Sequence, residues 1–277
     1  MKNFLIVTNR KKDTELNVTK KMKDYIEKKN GIAIICHGSE ELEQCDKIQE
    51  MDCAIVVGGD GTMLRAVNLL APYSIPIVGV NLGTVGFLTE VEVEEIETVL
   101  QQLFEDNYEY RDRMMLEGTV YREEKQQFQA IGINDIVLNR GGFSTIVAYQ
   151  LWINDEYVAS YRADGILIAT PTGSTGYNLS AGGAIVSPNS SVFIITPICP
   201  HSFMDRSIVV SKEDTVCIKI DKIGQKEEDE AYLMVDGHTS VLLKEGDRVQ
   251  VKLSDKCTRF LSVGTKGFYE VLRRKMN

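Results

Sequence analysis

The N-terminal stretch alternates short apolar runs with helical spacing. Residues 4–8 form an apolar run, and Val18, Met22, Tyr25 and Ile26 follow on one face of a helix. Further runs at residues 32–36, 53–57 and 75–80 predict strands, the last two closed by Gly58-Gly59 and by Asn81. Ile96, Val99, Leu100, Leu103 and Phe104 mark a second amphipathic helix. Apolar strands separated by helices predict a parallel, doubly wound sheet with both faces covered, an α/β domain over residues 1–111.

The period changes after Arg111. From Met115 onward the runs are rich in Val, Ile, Thr and Tyr and are separated by turn residues. Val216, Ile218 and Ile220 alternate with Thr215, Cys217 and Lys219, and Val249, Val251 and Leu253 with Gln250, Lys252 and Ser254. Period two predicts strands with one buried face, so residues 112–265 read as a β-rich domain. Asn154-Asp155 and Gly224-Gln225 are turn candidates, and the acidic residues 226–230 read as a solvated hairpin tip. Phe268, Val271 and Leu272 predict a last helix over residues 266–277, and Arg273, Arg274 and Lys275 suit its C-terminal end through the helix dipole.

Composition narrows the partners. The chain has 277 residues, 43% apolar and 26% charged, as in ordinary soluble domains. A net charge of −9 argues against nucleic acid or an anionic membrane as the main partner. No run approaches the length of a membrane span, and the apolar run near Met1 is too short for a signal peptide. The six cysteines contain no CxxC pair and are expected as reduced thiols in a cytoplasmic protein. Cys199 and His201 lack a second ligand pair, so no zinc site is expected.

The candidate chemistry begins at Gly58-Gly59-Asp60-Gly61-Thr62, where a buried strand turns into a helix that carries Arg65. The glycines let a ligand approach the backbone, and the helix N-terminus suits a phosphate. Thr62 can cap the helix or bond a phosphate oxygen. Asp60 would repel phosphate unless Mg²⁺ intervenes or unless it takes a proton from an attacking hydroxyl, and both are roles in phosphoryl transfer. The alternative is a tight turn with Asp60 as a cap. A second glycine-rich strand end runs from Asn81 through Phe87 to Glu90, and Phe87 reads either as packing on a base or as stapling a helix. Residues 170–183 form a run of hydroxyls and glycines with Tyr177 inside it, which suits a nucleoside, with a turn-rich surface loop as the alternative. Asn134-Asp135 interrupts an apolar strand and needs partners for its polar groups.

Taken together, these segments resemble the NAD kinase family. Residues 58–62 look like its GGDGT signature, and residues 81–90 like its N-x-G-x-L-G-F-L-T-E segment. Asn134-Asp135 is similar to its Asn-acid pair, residues 164–183 to its D-G…TPTGSTAYxLSAGG segment, residues 196–202 to TPICPHS, and Val235-Asp236-Gly237 to its late D-G turn. GGDGT alone is shared with lipid kinases, but nothing here supplies an acyl groove or a basic membrane face. A non-catalytic NADP-binding protein is the other alternative, and Asp60 speaks against it.

The resemblance implies an α/β domain, a β-sandwich-like domain and a terminal helix that returns to the first. It implies transfer of a phosphoryl group from ATP, or polyphosphate, to the adenosine-ribose 2′-hydroxyl of NAD. Mg²⁺ is expected to travel with the nucleotide near Asp60, with no protein residue assigned as its ligand, and a homodimer or homotetramer is implied. Asp60 matches the catalytic aspartate, with Gly58, Gly59, Gly61 and Thr62 cradling phosphates. Arg65, Asn81 and Phe87 are expected on the nucleotide as well. Asn134 and Asp135 would hold the adenosine, Asp164 the nicotinamide side, and Arg162 would lie near the phosphates. Thr172, Thr175, Gly176, Tyr177, Asn178, Leu179 and Ser180 would line the base and ribose pocket, with Asp236 and His238 closing the site. Gly176 stands where the family has Ala, and His238 where Gln is common.

Overall fold

The computed structural model describes residues 1–83, 86–142, 146–201, 206–226, 229–263 and 267–276. Thr84 and Val85, Ser202, Glu227 and Glu228, residues 264–266 and Asn277, which belong to motifs or elements expected above, lie outside the described residues.

In chain order the elements are β1 (Asn3–Thr8), α1 (Asn17–Lys28), β2 (Ile32–His37), α2 (Ser39–Glu43), β3 (Cys53–Gly58), α3 (Asp60–Leu70), β4 (Ile77–Asn81) and α4 (Ile96–Phe104). The β-rich part runs through β5 (Glu109–Arg122), β6 (Lys125–Gly132), β7 (Asp135–Arg140), β8 (Val147–Ile153), β9 (Glu156–Ala163) and β10 (Gly165–Ala169). A short α5 (Tyr177–Ser180) precedes β11 (Val192–Ile198), β12 (Ile208–Ser211), β13 (Val216–Ile223), β14 (Ala231–Val235), β15 (Thr239–Leu243) and β16 (Arg248–Ser262), and α6 (Phe268–Met276) closes the chain. The chain divides into two compact units, Met1–Arg113 with Lys256–Asn277, and Met114–Asp255.

In the first unit the strand order is β2-β1-β3-β4, followed by the end of β16, and every pairing is parallel. The sequence run Lys256 to Ser262 counts with this unit rather than with the β-rich part, because β16 reaches β4 there at Phe260 and Ile77. Phe4, Ile6, Ile55, Val57, Val78 and Val80 on one sheet face meet Met22 and Ile26 of α1 and Val99, Leu100 and Leu103 of α4. Leu5, Ala54 and Val56, pointing the other way, are equally buried. Burial on both faces is why these strands read as continuous apolar runs instead of alternating ones. The chain leaves β1 for β2 on one side and enters β3 on the other, so the C-terminal ends of β1 and β3 flank the point where an open α/β sheet opens a crevice.

The second unit is antiparallel. One sheet has the order β12-β11-β10-β7-β14-β15, and the facing strands include β13, β8, β9 and the β5–β6 hairpin. Between them lies one core that contains Leu116, Ile136, Leu138, Tyr149, Ile166, Ile168, Phe193, Ile218 and Leu233. The apolar side chains of both sheets interdigitate in this layer, which makes the unit sandwich-like. Val216, Ile218 and Ile220 are buried while Lys219 and Asp221 are exposed, so the period of two in β13 is the sheet's inside and outside. Asn154 and Asp155 both have positive φ (49° and 66°) and form the tight turn joining β8 to β9. The outer face of β10 is covered too: Leu167 and Ala169 pack with Val137, Ile194, Ala181 and Val186. Part of that cover, Ala181, comes from the hydroxyl- and glycine-rich segment, which is thereby fixed to the sheet. No helix among the described residues is long and apolar enough to cross a membrane.

Candidate active site

The first part of the site is built where β3 and β4 end side by side. Gly58 pairs with Asn81, and the Leu82 N–H donates to the Gly58 carbonyl at 2.7 Å. Helix α3 begins directly after, with Gly59 as its N-cap and no side chain in the capping role. Neither Asp60 nor Thr62 caps the helix. The Asp60 carboxylate instead reaches the second glycine-rich segment, accepting the Phe87 N–H at 3.0 Å and the Leu88 N–H at 3.1 Å. A Cβ on Gly86 would collide with Asp60 Oδ1, so this approach needs glycine. The result is a carboxylate fixed in direction by two backbone donors, with further lone pairs left for a proton or a metal ion.

The turn also has the shape of an anion cradle. A Cβ on Gly59 would stand 2.8 Å from Lys12 Nζ, and at Gly61 it would meet nothing within 4 Å. Thr62 is buried, and its hydroxyl accepts a hydrogen bond from Asn9 Nδ2 at 3.0 Å. Thr62 and Arg65 line a cleft of about 370 Å³ together with Asn9, Arg10, Lys11 and His37. Arg10, Lys11 and Lys12 concentrate cations beside the helix N-terminus of an otherwise acidic chain. Asn81 is buried, with Nδ2 bonded to the Gly83 carbonyl at 2.8 Å and Oδ1 left without a partner among the described residues. The Phe87 ring packs 5.9 Å from Phe268 of α6, with Lys275 Nζ 5.2 Å from its centroid.

The second unit holds another polar constellation, organised by Asp236. This residue sits in a tight turn at φ 49° and is buried. Its carboxylate accepts the N–H groups of Ile133 (2.9 Å), Asn134 (2.8 Å) and Asp135 (3.0 Å). The bend that presents Asn134 and Asp135 is therefore held by a side chain from a distant part of the sequence. The far side of the bend is held by Thr170, whose hydroxyl donates to the Ile133 carbonyl at 2.5 Å and accepts the Gly173 N–H at 3.0 Å. Asn134 Oδ1 is buried without a partner among the described residues. A Cβ on Gly176 would lie 3.7 Å from Asn134 Nδ2 and 3.3 Å from the Gly173 carbonyl, so the methyl usual in the family fits here with a small adjustment.

Burial and the neighbouring Asp236 push the Asp135 carboxyl up to about 7. A raised carboxyl stays protonated in the folded chain while the unfolded chain ionises. Folding stability from this group is therefore complete below about pH 4 and is lost as pH rises to about 7. Urea unfolding of the unliganded protein at about pH 5 and about pH 8 should show this loss, and Asp135→Asn should remove that part of the pH dependence.

Tyr177 and Asp164 line one cavity of about 340 Å³ together with Arg140, the last residue of β7, and the glycine pair that follows it. Arg140 Nε lies 3.1 Å from Asp164 Oδ1. Tyr177 is 42% exposed, and burial of the remainder, with Cys199, Asp135 and Asp164 nearby, pushes its phenol up. Thr172 and Thr175 are half-buried on the turn before Tyr177, linked by the Thr175 hydroxyl on the Thr172 carbonyl at 3.4 Å. Leu179, Ser180 and His238 are exposed.

Two expected ligand residues, Asn178 and Arg162, lie outside the cavity that Tyr177 and Asp164 line. Asn178 is fully buried and donates to the Ser174 and Ala184 carbonyls while Thr196 donates to its Oδ1 at 2.7 Å. It is an internal strut of the loop. Arg162 is exposed between buried Tyr161 and Ala163, on the face of β9 away from the core, and is not among the residues lining the Asp164 cavity. Lys12, Asn9 and Arg140 join the site although no motif marks them. Their signals in the sequence are the polar run directly after β1 and a cation ending an apolar strand before two glycines.

Among known proteins, residues 7–108 match the model of the ATP-NAD kinase N-terminal domain, and residues 133–263 that of the ATP-NAD kinase C-terminal domain. An NAD kinase from Lachnoclostridium phytofermentans is 41% identical, over 99% of either chain. This chain belongs to the NAD kinase family. The fold persists in distant proteins: yeast NADH kinase, solved with NADH, superposes with a TM-score of 0.83 at 23% identity, covering 100% of this chain and 87% of that one. An Archaeoglobus fulgidus NAD kinase, solved with ATP, gives 0.78 at 24% identity, covering 99% and 97%.

Proposed function

We propose that the chain transfers the terminal phosphoryl group of ATP, or of inorganic polyphosphate, to the adenosine-ribose 2′-hydroxyl of NAD, giving NADP. The observation that carries this reading is Asp60, held by two backbone N–H groups at the end of a glycine turn in a chain of the NAD kinase family. Asp60 takes the 2′-hydroxyl proton as the oxygen attacks the terminal phosphorus. The new O–P bond forms as the bond from phosphorus to the bridging oxygen breaks, and that electron pair leaves with ADP or the shortened polyphosphate.

Gly58, Gly59, Gly61 and Thr62 cradle the donor phosphates, with Lys12 and Arg65 adding positive charge. Asn134, Asp135, Asp164, Thr172, Thr175, Gly176 and Tyr177 hold NAD. Among the described residues no three His, Cys, Asp or Glu side chains group to hold a metal ion. A single carboxylate at a phosphate cradle fits Mg²⁺ that arrives on the donor phosphates, with Asp60 beside it. When bound, Mg²⁺ neutralises charge on the transferring phosphates. The protein works in the cytoplasm as a homodimer or homotetramer. Six free thiols suit a reducing compartment. The test is a donor comparison: NAD and Mg²⁺ with ATP, then with polyphosphate. NADP from at least one donor supports the reading, and tight NADP binding with no turnover from either donor overturns it.

A further inference from the structure

Behind the segment that holds Asp60, the first unit contains a separate cavity of about 210 Å³. It lies among β4, α4, the end of β16 and the stretch from Leu88 to Val91. Its walls are mainly apolar, with two polar groups unsatisfied among the described residues. Ser262 is only 6% exposed, and its Oγ has no hydrogen-bond partner. Gln102 also lines the cavity, and its Oε1 is buried without a partner. On another wall Arg111 Nη1 stands 3.5 Å from Glu90 Oε1. Buried polar atoms are nearly always paired, so a hydroxyl and an amide oxygen left open on one cavity are a recognition pattern. They call for a ligand that offers an N–H to Gln102 and a carbonyl oxygen to Ser262. A cavity of about 150 Å³ accommodates benzene, so this one has room for a ring with a small substituent.

We propose that this cavity binds a small, neutral aromatic amide, and that its occupancy acts on phosphoryl transfer through Leu88. Leu88 lines the cavity and its N–H holds Asp60 Oδ1 at 3.1 Å. The next residues are anchored to β4, with the Val91 N–H on the Gly79 carbonyl at 3.1 Å. A ligand that shifts Leu88 therefore shifts a donor of the carboxylate. Binding itself is independent of the reaction assigned above, and only the effect on turnover rests on it.

The test is calorimetric titration of the full chain with benzamide, in saturating NAD so that the substrate's own nicotinamide site is blocked. Saturable binding is expected, with Ser262→Ala and Gln102→Leu each weakening it about tenfold, roughly the net worth of one hydrogen bond. Toluene, which lacks the amide, should be insensitive to both substitutions. Saturating benzamide should change kcat at least about twofold while KM for NAD stays constant. No saturable binding, or binding that neither substitution weakens, overturns the site. So does a crystal structure in which ordered water holds Gln102 Oε1 and Ser262 Oγ and benzamide does not displace it. Binding at the cavity with kcat unchanged overturns the coupling to Asp60.

Discussion

Asp60→Asn should lower kcat for NADP formation by about a hundredfold or more, the scale of a positioned general base. The substitution keeps the side chain's shape but removes its ability to take a proton. It also disturbs the clamp. An amide can accept through one oxygen only, and its NH₂ group would face a backbone N–H of Phe87 or Leu88. Two effects therefore need separating. Loss of the proton acceptor lowers kcat at every NAD concentration, while a loosened clamp lowers unfolding stability. Steady-state kinetics with urea unfolding of the same variant measures both. A variant that keeps wild-type kcat contradicts the assignment of Asp60 as the base.

The second large effect belongs to Asp236. Asp236→Ala removes the acceptor of three backbone N–H groups, at Ile133, Asn134 and Asp135. A buried donor left unpaired costs about 1–3 kcal/mol, so the variant should lose about 3 kcal/mol or more of unfolding free energy. The bend carrying Asn134 and Asp135 loses its anchor at the same time, so KM for NAD should rise more than kcat falls. The charge of Asp236 is one of the two causes that raise the Asp135 carboxyl. Removing it should move the Asp135 transition to lower pH. A variant with wild-type stability and KM would show that Asp236 does not hold the bend.

Much of the first unit was legible because its physics is local. Strands buried on both faces need continuous apolar runs, and residues 4–8 and 53–57 are such runs. The glycine turn was legible because close backbone approach leaves few residue choices. The partners of Asp60 and Asp236 were not, because they are backbone N–H groups, which every residue but proline carries. Nothing in Phe87, Leu88 or Ile133 marks its amide as a donor to a distant carboxylate. Asn178 is a related case: a polar side chain among hydroxyls reads as a ligand contact, and its partners, the Ser174 and Ala184 carbonyls and the Thr196 hydroxyl on β11, become visible only once the chain is folded. Phe87 was open between a base and a helix, and the helix it packs on, α6, lies at the other end of the sequence. Arg140 and Lys12 gain meaning only from the strand ends beside them.

Phosphorus NMR of the dinucleotide that the purified chain forms from NAD, ATP and Mg²⁺ should show one new phosphate resonance, a monoester on the 2′-oxygen of the adenosine ribose, and Asp60→Asn should slow its appearance by about a hundredfold or more. A phosphate on any other oxygen, or the same 2′-product at an undiminished rate from the Asp60→Asn variant, would contradict the assigned reaction with Asp60 as its base.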